Sequence, residues 1–118
     1  MRIHHIALRT SDLDRLERFY VGLLGLPVVA RHGTRSIWLE LEGTLLMLER
    51  AEDGERRIAR STNELLAFSV EPSELPSYVD KLSSAGVVVE ASTEFTRYFR
   101  DPDGRRIALS HYPRASRA

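Results

Sequence analysis

The amino-acid sequence predicts an α+β fold in which two βαβββ modules form a curved mixed sheet around a cavity. Apolar residues alternate at strand spacing in several short runs, and two segments carry them at helical spacing. The same order of elements then occurs twice, at an offset of about 60 residues. We expect one domain over residues 1–118, with module one at 1–50, a linker at 51–63 and module two at 64–113.

The first strand and helix of module one fall within residues 2–26. Residues 3–8 alternate between two apolar-containing faces, and Ser11 and Asp12 can accept hydrogen bonds at a helix start. The apolar face of the predicted helix consists of Leu13, Leu16, Phe19, Tyr20, Leu23 and Leu24. Gly25 is expected to end this helix, because glycine adopts left-handed dihedral angles at little cost.

Three further strands are predicted for module one, and a polar segment follows them. These strands are residues 26–31, 36–41 and 44–49, with a hairpin turn at Glu42 and Gly43 between the last two. Residues 51–63 are polar, charged and contain Gly54, which is typical of a linker.

Module two repeats this order. A strand is predicted at 65–70, and Pro72, Ser73 and Glu74 indicate a helix start. The remaining predicted strands are residues 87–90, 96–100 and 106–111. Asp101 to Gly104 form a strong turn signal before the last strand, and the tail from Pro113 is expected to fray.

Composition excludes several functional classes. The 17 basic and 17 acidic residues give a formal net charge of zero, which argues against nucleic-acid binding. The absence of cysteine excludes disulfides, thiolate metal sites and a cysteine nucleophile. No apolar run approaches the roughly 18 residues that a membrane span needs, and the first residues do not resemble a signal peptide. A cytoplasmic protein without a membrane partner is therefore expected.

Two motifs carry a resemblance to a known family. Residues 5–26 read HIALRTSDLDRLERFYVGLLGL, and residues 98–113 read YFRDPDGRRIALSHYP. In this order and at this distance they resemble the vicinal oxygen chelate superfamily, which includes glyoxalase I, fosfomycin and bleomycin resistance proteins, methylmalonyl-CoA epimerase and extradiol dioxygenases. The resemblance covers residues 3–113 and implies paired βαβββ modules around a cavity, commonly shared across a homodimer.

The metal-dependent members of that superfamily hold one divalent ion with four side chains, one from the first and one from the last strand of each module. The resemblance places these positions at His5, Met47, Leu65 and Ala108. Of these, His5 is the one that matches the family's metal ligands, and leucine and alanine cannot ligate. Glu49 follows Met47 on the same strand face and could replace a missing carboxylate, so His5 and Glu49 are the metal candidates.

The resulting functional prediction is a glyoxalase-like or bleomycin-resistance-like protein. We expect it to bind a small organic molecule in the cavity between the modules by shape and apolar contact, without a complete metal site or other cofactor. The predicted ligand-binding residues are His5, Trp38, Met47, Glu49 and Ala108.

Three alternatives stay open at this point. The first is a divalent-metal-dependent lyase, epimerase or dioxygenase of the same superfamily. The second is a metal-free enzyme in which Glu49 or His5 acts as a general base. The third concerns Glu49 alone, which could instead pair with an arginine at the surface, a contact of little energetic value.

Overall fold

The computed structural model describes residues 1–113, and the chain divides into two compact units. Unit 1 comprises residues 1–58, and unit 2 begins at Ala59. Each unit contains one four-stranded mixed sheet with few helical residues, which confirms the α+β prediction and its two modules. Residues 51–64, where the linker is predicted, contain no helix or strand. The predicted fraying beyond Pro113 concerns residues outside those described.

The sheet of unit 1 has the strand order β1-β4-β3-β2. Its strands are β1 at His5–Thr10, β2 at Val28–His32, β3 at Ser36–Leu41 and β4 at Thr44–Arg50. β1 and β4 are parallel, while β2 with β3 and β3 with β4 are antiparallel. The predicted strands are therefore present, with the second beginning two residues later than expected, after Pro27.

The predicted helix of unit 1 consists of two parts. The α-helix α1, Leu13–Glu17, continues as a π-helical turn at Arg18–Leu23. Asp12 caps α1 as predicted, because its Oδ1 accepts a hydrogen bond from the backbone N–H of Arg15 at 3.1 Å. Gly25 follows the π-helical turn with a φ of 76°, which agrees with its predicted role at the helix end.

One face of the unit 1 sheet forms the apolar core. α1 packs against β4 on this face, where side chains alternate with those of the opposite face. The buried apolar residues of the sheet are Leu8, Ile37, Leu39, Leu46 and Leu48, and those of the helical segment are Leu13, Leu16, Phe19, Tyr20 and Leu24. Each fully buried side chain of this size contributes about 1.5–3 kcal/mol, so the core fixes which sheet face stays open.

The sheet of unit 2 repeats the topology of unit 1, with strand order β5-β8-β7-β6. Its strands are β5 at Leu65–Ser69, β6 at Ala91–Ser92, β7 at Thr96–Arg100 and β8 at Arg106–Ser110. β5 and β8 are parallel, as β1 and β4 are. A 3₁₀ turn at Pro72–Glu74 leads into helix α2 at Leu75–Ser84. Among residues 1–113, no helix is both long and apolar enough to cross a membrane.

The strand predicted at residues 87–90 is wrong in position and length. β6 contains only Ala91 and Ser92. Glu90, the residue before β6, donates its backbone N–H to the carbonyl oxygen of Tyr98. Residues 87–89 instead line a groove beside Val79 and Ser83 of α2. These residues therefore lie beside a helix and do not pair as a strand.

Candidate functional site

The four predicted site residues of unit 1 lie on one face of its sheet. Met47 of β4 is paired with Trp38 of β3, and Glu49 follows two residues later on the same side. His5 of β1 is paired with Leu45, two residues before Met47. Backbone register thus brings His5, Trp38, Met47 and Glu49 to the face opposite the core, which we call the open face of unit 1.

Trp38 has the most informative environment on this open face. Its ring lies 4.6 Å from that of His32, centroid to centroid, at an angle of 56°. Its indole Nε1 is buried and has no hydrogen-bond partner among residues 1–113. A buried donor without an acceptor costs about 1–3 kcal/mol. Trp38 is therefore a group that an acceptor atom of a ligand could satisfy. His32 lies just beyond the strand predicted at residues 26–31, and the sequence gives no sign of this ring contact.

Glu49 has a cationic neighbour. The Nη1 atom of Arg9 lies 3.6 Å from its Oε1 atom. The same guanidinium donates to both carboxylate oxygens of Glu55, at 3.1 Å and 2.7 Å. That bond, and next the backbone N–H of Glu52, lowers the pKa of Glu55 to about 2. Glu49 thus has the arginine partner that one of the sequence-based alternatives predicts.

His5 is exposed and lies against its neighbour in the chain. Its Nδ1 atom is 3.0 Å from Nδ1 of His4, and the two rings meet edge to face. At this distance one imidazole nitrogen donates a hydrogen bond and the other accepts it. One nitrogen of His5 is therefore engaged, and its Nε2 atom is the one left to meet a ligand.

The residues of the chain do not supply a complete set of metal ligands. Residues 1–113 contain no group of three or more histidine, cysteine, aspartate or glutamate side chains placed to hold an ion. His5 is paired with Leu45, and Glu49 lies four residues further along β4. This offset corresponds to about 13 Å at strand spacing. Ligand atoms of one ion lie only about 2 Å from it, so this spacing does not favour a shared ion. Their role as metal ligands remains a prediction.

Unit 2 has a cavity of about 500 Å³ on the open face of its own sheet. Its walls are mainly apolar and aromatic, with hydroxyl groups between them. The wall residues include Leu65, Ala67, Phe95, Tyr98 and Tyr112, together with Thr96 and Ser110. Phe95 and Tyr112 meet edge to face at 5.2 Å, which fixes two of the aromatic rings.

Ala108 lies within this sheet, paired with Ala67 of β5 and Tyr98 of β7. Its side chain is fully buried, so its methyl group does not reach the surface that a ligand would touch. Both of its strand partners line the cavity. Its role as a binding residue remains a prediction, because Ala108 lies on the cavity face of the sheet but is covered by its neighbours.

Two hydroxyl groups form one polar part of the cavity, which Thr93 and Glu94 also line. Oγ1 of Thr96 and Oγ of Ser110 are 2.7 Å apart, and Ser110 also accepts from the backbone N–H of Tyr112 at 3.1 Å. Because one hydroxyl donates to the other, the second keeps its own hydrogen for another acceptor. Sequence reasoning missed this pair, although the alternation of β8 puts Ser110 on the same face as Ala108.

The fold and these two open faces define a class of protein. The family model of the Glyoxalase/Bleomycin resistance protein/Dioxygenase superfamily matches residues 2–109, and the chain belongs to this family. Among curated relatives, it is 30% identical over 115 residues to the metallothiol transferase FosB of Shouchella clausii. That alignment covers 91% of this chain and 77% of the relative. The predicted superfamily is thereby confirmed.

Solved structures show the same fold at lower identity. A glyoxalase/dioxygenase from Nostoc punctiforme has a TM-score of 0.80 at 22% identity, covering 92% of this chain and 88% of that one. A mutant of the fosfomycin resistance protein FosX from Listeria monocytogenes, complexed with Mn(II) and 1S,2S-dihydroxypropylphosphonic acid, has a TM-score of 0.75 at 18% identity. The matched regions cover 94% of this chain and 89% of FosX.

Proposed function

We propose that this chain binds a small organic molecule on the open face of unit 2, by shape and apolar contact and without a complete metal site. The observation that carries the proposal is the cavity of about 500 Å³ with aromatic walls. Ligand pockets typically measure about 300–1,000 Å³ and combine apolar walls with a few polar groups. The hydroxyl pair of Thr96 and Ser110 supplies such groups.

Each part of the cavity has a distinct role in this proposal. Phe95, Tyr98 and Tyr112 offer ring faces and edges to an apolar ligand body. The unshared hydroxyl hydrogen of the Thr96 and Ser110 pair fixes the orientation of that body through one acceptor atom. A separate proposal for the open face of unit 1 is that His5, Trp38, Met47 and Glu49 contact a ligand there. The indole N–H of Trp38, which has no partner among residues 1–113, supports it.

Binding can be tested by nuclear magnetic resonance. Amide resonances of the labelled chain are followed while aromatic and glycopeptide compounds are added. We expect at least one compound to shift the amides of Leu65, Tyr98 and Ser110 in a saturable manner. The proposal is wrong if no compound in a broad panel shifts them.

A matched pair of variants locates the binding site. Leu65 is 45% exposed on β5, so Leu65→Gln should weaken binding while leaving the fold intact. Val29 is 54% exposed on β2 of unit 1, and Val29→Gln serves as the control. Equal affinities of the two variants would place the ligand elsewhere.

A second candidate function is a metal-dependent activity like that of the fosfomycin resistance relatives. The 30% identity to a protein named metallothiol transferase favours it, and FosX was solved with Mn(II). A divalent ion is therefore possible, and these relatives do not support the expectation that no cofactor is needed. In this second candidate, His5 and Glu49 would bind the ion together with donors that the described residues do not supply.

Elemental analysis separates the two candidates. The protein is purified without chelator, incubated with Mn, Ni, Fe or Zn, and desalted. About one ion per chain, lost in His5→Ala, would favour the metal-dependent candidate. Retention of no ion would favour metal-free binding. The homodimer implied by the family resemblance is a separate proposal that light scattering can test.

A further inference from the structure

Two arginines share one glutamate beside the cavity of unit 2. Arg100 of β7 and Arg106 of β8 are paired in register. The Nε atoms of both donate to Oε1 of Glu90, at 3.0 Å and 3.1 Å. All three side chains are partly exposed, with exposed fractions of 26% for Arg100, 24% for Arg106 and 34% for Glu90. Two cations and one anion leave one positive charge in this cluster, which we call the arginine pair.

The two guanidinium groups differ in how far they are engaged. Nη1 of Arg100 donates to the carbonyl oxygens of Thr62 and Gly104, so this side chain is tied to the backbone. Arg106 instead lies over the ring of Tyr98, with its Cζ atom 4.3 Å from the ring centroid. Among residues 1–113, no group accepts a hydrogen bond from Nη1 or Nη2 of Arg106. Arg106 therefore has two nitrogen atoms available for a further partner.

Glu90 does not neutralise the pair. Its burial, the largest single effect, raises its pKa, but the bonds from Arg100 and Arg106 together lower the pKa below its ordinary value. The carboxylate is thus ionised at neutral pH and binds both Nε–H groups. The cluster therefore keeps one excess positive charge, which the two guanidinium groups share.

The arginine pair adjoins the proposed ligand cavity. Arg106 is paired with Leu65 and stacks on Tyr98, and both of these residues line the cavity. The carboxylate-bearing residue of the cavity, Glu94, lies beyond Thr96, at the end of β7 opposite Arg100. These two ends are about 13 Å apart at strand spacing. The cavity therefore has a basic end at Arg106 and an acidic end at Glu94.

We propose that Arg106 binds an anionic group, through carboxylate or phosphoryl oxygens, of a ligand whose apolar body occupies the unit 2 cavity. This inference rests on the proposed function and adds the chemical class of the ligand. The planar guanidinium presents two N–H donors side by side and can bind two oxygens at once. The Tyr98 ring holds that plane in place before the ligand arrives.

Matched pairs of neutral and anionic probes test the inference. Benzoate is compared with benzamide, and phenyl phosphate with phenol, which distinguishes carboxylate from phosphoryl recognition. In nuclear magnetic resonance titrations we expect the wild type to bind at least one anion about tenfold or more tightly than its neutral partner. That anion should also shift the Nε–H resonance of Arg106.

Three variants connect this preference to Arg106. Arg106→Met keeps the apolar stem, so it should lose the preference while its affinity for the neutral probe changes by less than about twofold. Arg106→Lys keeps the charge without the planar fork and should retain part of the preference. Arg35→Met makes the same charge change at an exposed site of unit 1 and should behave as wild type.

The outcomes separate this inference from the proposed function. Equal binding of neutral and anionic probes by the wild type would overturn the inference and leave the proposed function standing. An equal loss of preference in Arg35→Met and Arg106→Met would also overturn it, because net charge alone would then explain the effect. If neither member of any pair bound, both proposals would be wrong. If Arg106→Met does not fold, two other results test the inference. The anion must shift the Nε–H resonance of Arg106 in the wild type, and Arg106→Lys must retain only part of the preference.

Discussion

The guanidinium of Arg9 lies 3.6 Å from the carboxylate of Glu49, on the open face of unit 1. These residues are paired in register across the parallel strands β1 and β4, so the contact follows from the sheet itself. A carboxylate held by a cation on its own sheet is less available to a metal ion or to a proton-transfer role. The relationship therefore gives Glu49 a cationic partner that any ligand or metal ion at this position would have to displace.

The bond between Arg9 and Glu55 predicts a pH dependence of stability. The folded-state pKa of Glu55 is about 2, below its ordinary value of 4.5. Because the pKa is lowered in the folded state, the ionised carboxylate stabilises that state above pH 4.5. This stabilisation is lost as the pH falls towards 2. We expect the stability difference between wild type and Glu55→Gln to be constant above about pH 5 and to decrease between pH 4.5 and 2.

Urea unfolding at a series of pH values measures this difference. Glu64→Gln is the control, because Glu64 is exposed and no ion pair is found for it among the described residues. A difference between wild type and Glu55→Gln that does not change below pH 4.5 would show that the bond is not formed in solution.

The two equivalent hairpin glycines predict unequal losses of stability. Gly43 and Gly104 both have a φ of 93°. A Cβ atom at Gly104 would lie 2.8 Å from Cα of Arg60, whereas nothing lies within 4 Å of one at Gly43. Gly43→Ala should therefore cost about 1–2 kcal/mol through backbone strain alone. Gly104→Ala should cost about 1–3 kcal/mol more, because the backbone of Arg60 must move. Equal losses in urea unfolding would contradict this close contact.

The unpartnered indole N–H of Trp38 predicts a small effect of a conservative change. Trp38→Phe loses some ring contacts but also removes a buried donor that has no acceptor among residues 1–113. We expect these effects to offset each other, so the free energy of unfolding should change by less than about 1 kcal/mol. Calorimetry of the ligand-free protein measures it, and a loss of several kcal/mol would mean that the indole N–H has a partner in solution.

The hydroxyl pair of Thr96 and Ser110 predicts coupled mutational effects. Thr96 is 7% exposed, and its Oγ1 atom lies 2.7 Å from Oγ of Ser110. Thr96→Val should lower stability by about 1 kcal/mol, since it leaves the serine hydroxyl without this bond. The stability loss caused by Ser110→Ala should be smaller in the Thr96→Val variant than in the wild type. Strict additivity of the two losses in urea unfolding would indicate that the hydroxyls do not interact.

Much of the fold could be predicted from local patterns. Alternation along β3 and β4 places Trp38, Met47 and Glu49 on one face, and the turn glycines Gly43 and Gly104 mark both hairpins. The π-helical turn after Glu17 could not be predicted, because its residues show ordinary helical spacing. Nor could the shift of β6, since Val87 to Val89 are good strand formers whose position is set by the neighbouring helix.

The site could be predicted less well, for a physical reason. The contact of Arg9 with Glu49 depends on which strands pair, and residues 40 positions apart give no local sign of it. Arg106 stacks on Tyr98 through strand pairing in the same way. Phe95 and Tyr112 lie in loops beside β7 and β8, where no periodic pattern assigns a side chain to a face.

The most direct test of metal-free ligand binding is one titration carried out twice. A compound that shifts the amide of Tyr98 is titrated into the chain in the presence of EDTA, and again with excess Zn²⁺. We predict saturable shifts of Leu65, Tyr98 and Ser110 with the same affinity in both titrations. Shifts that appear only with Zn²⁺ would contradict the proposal and assign the site to a metal-dependent protein.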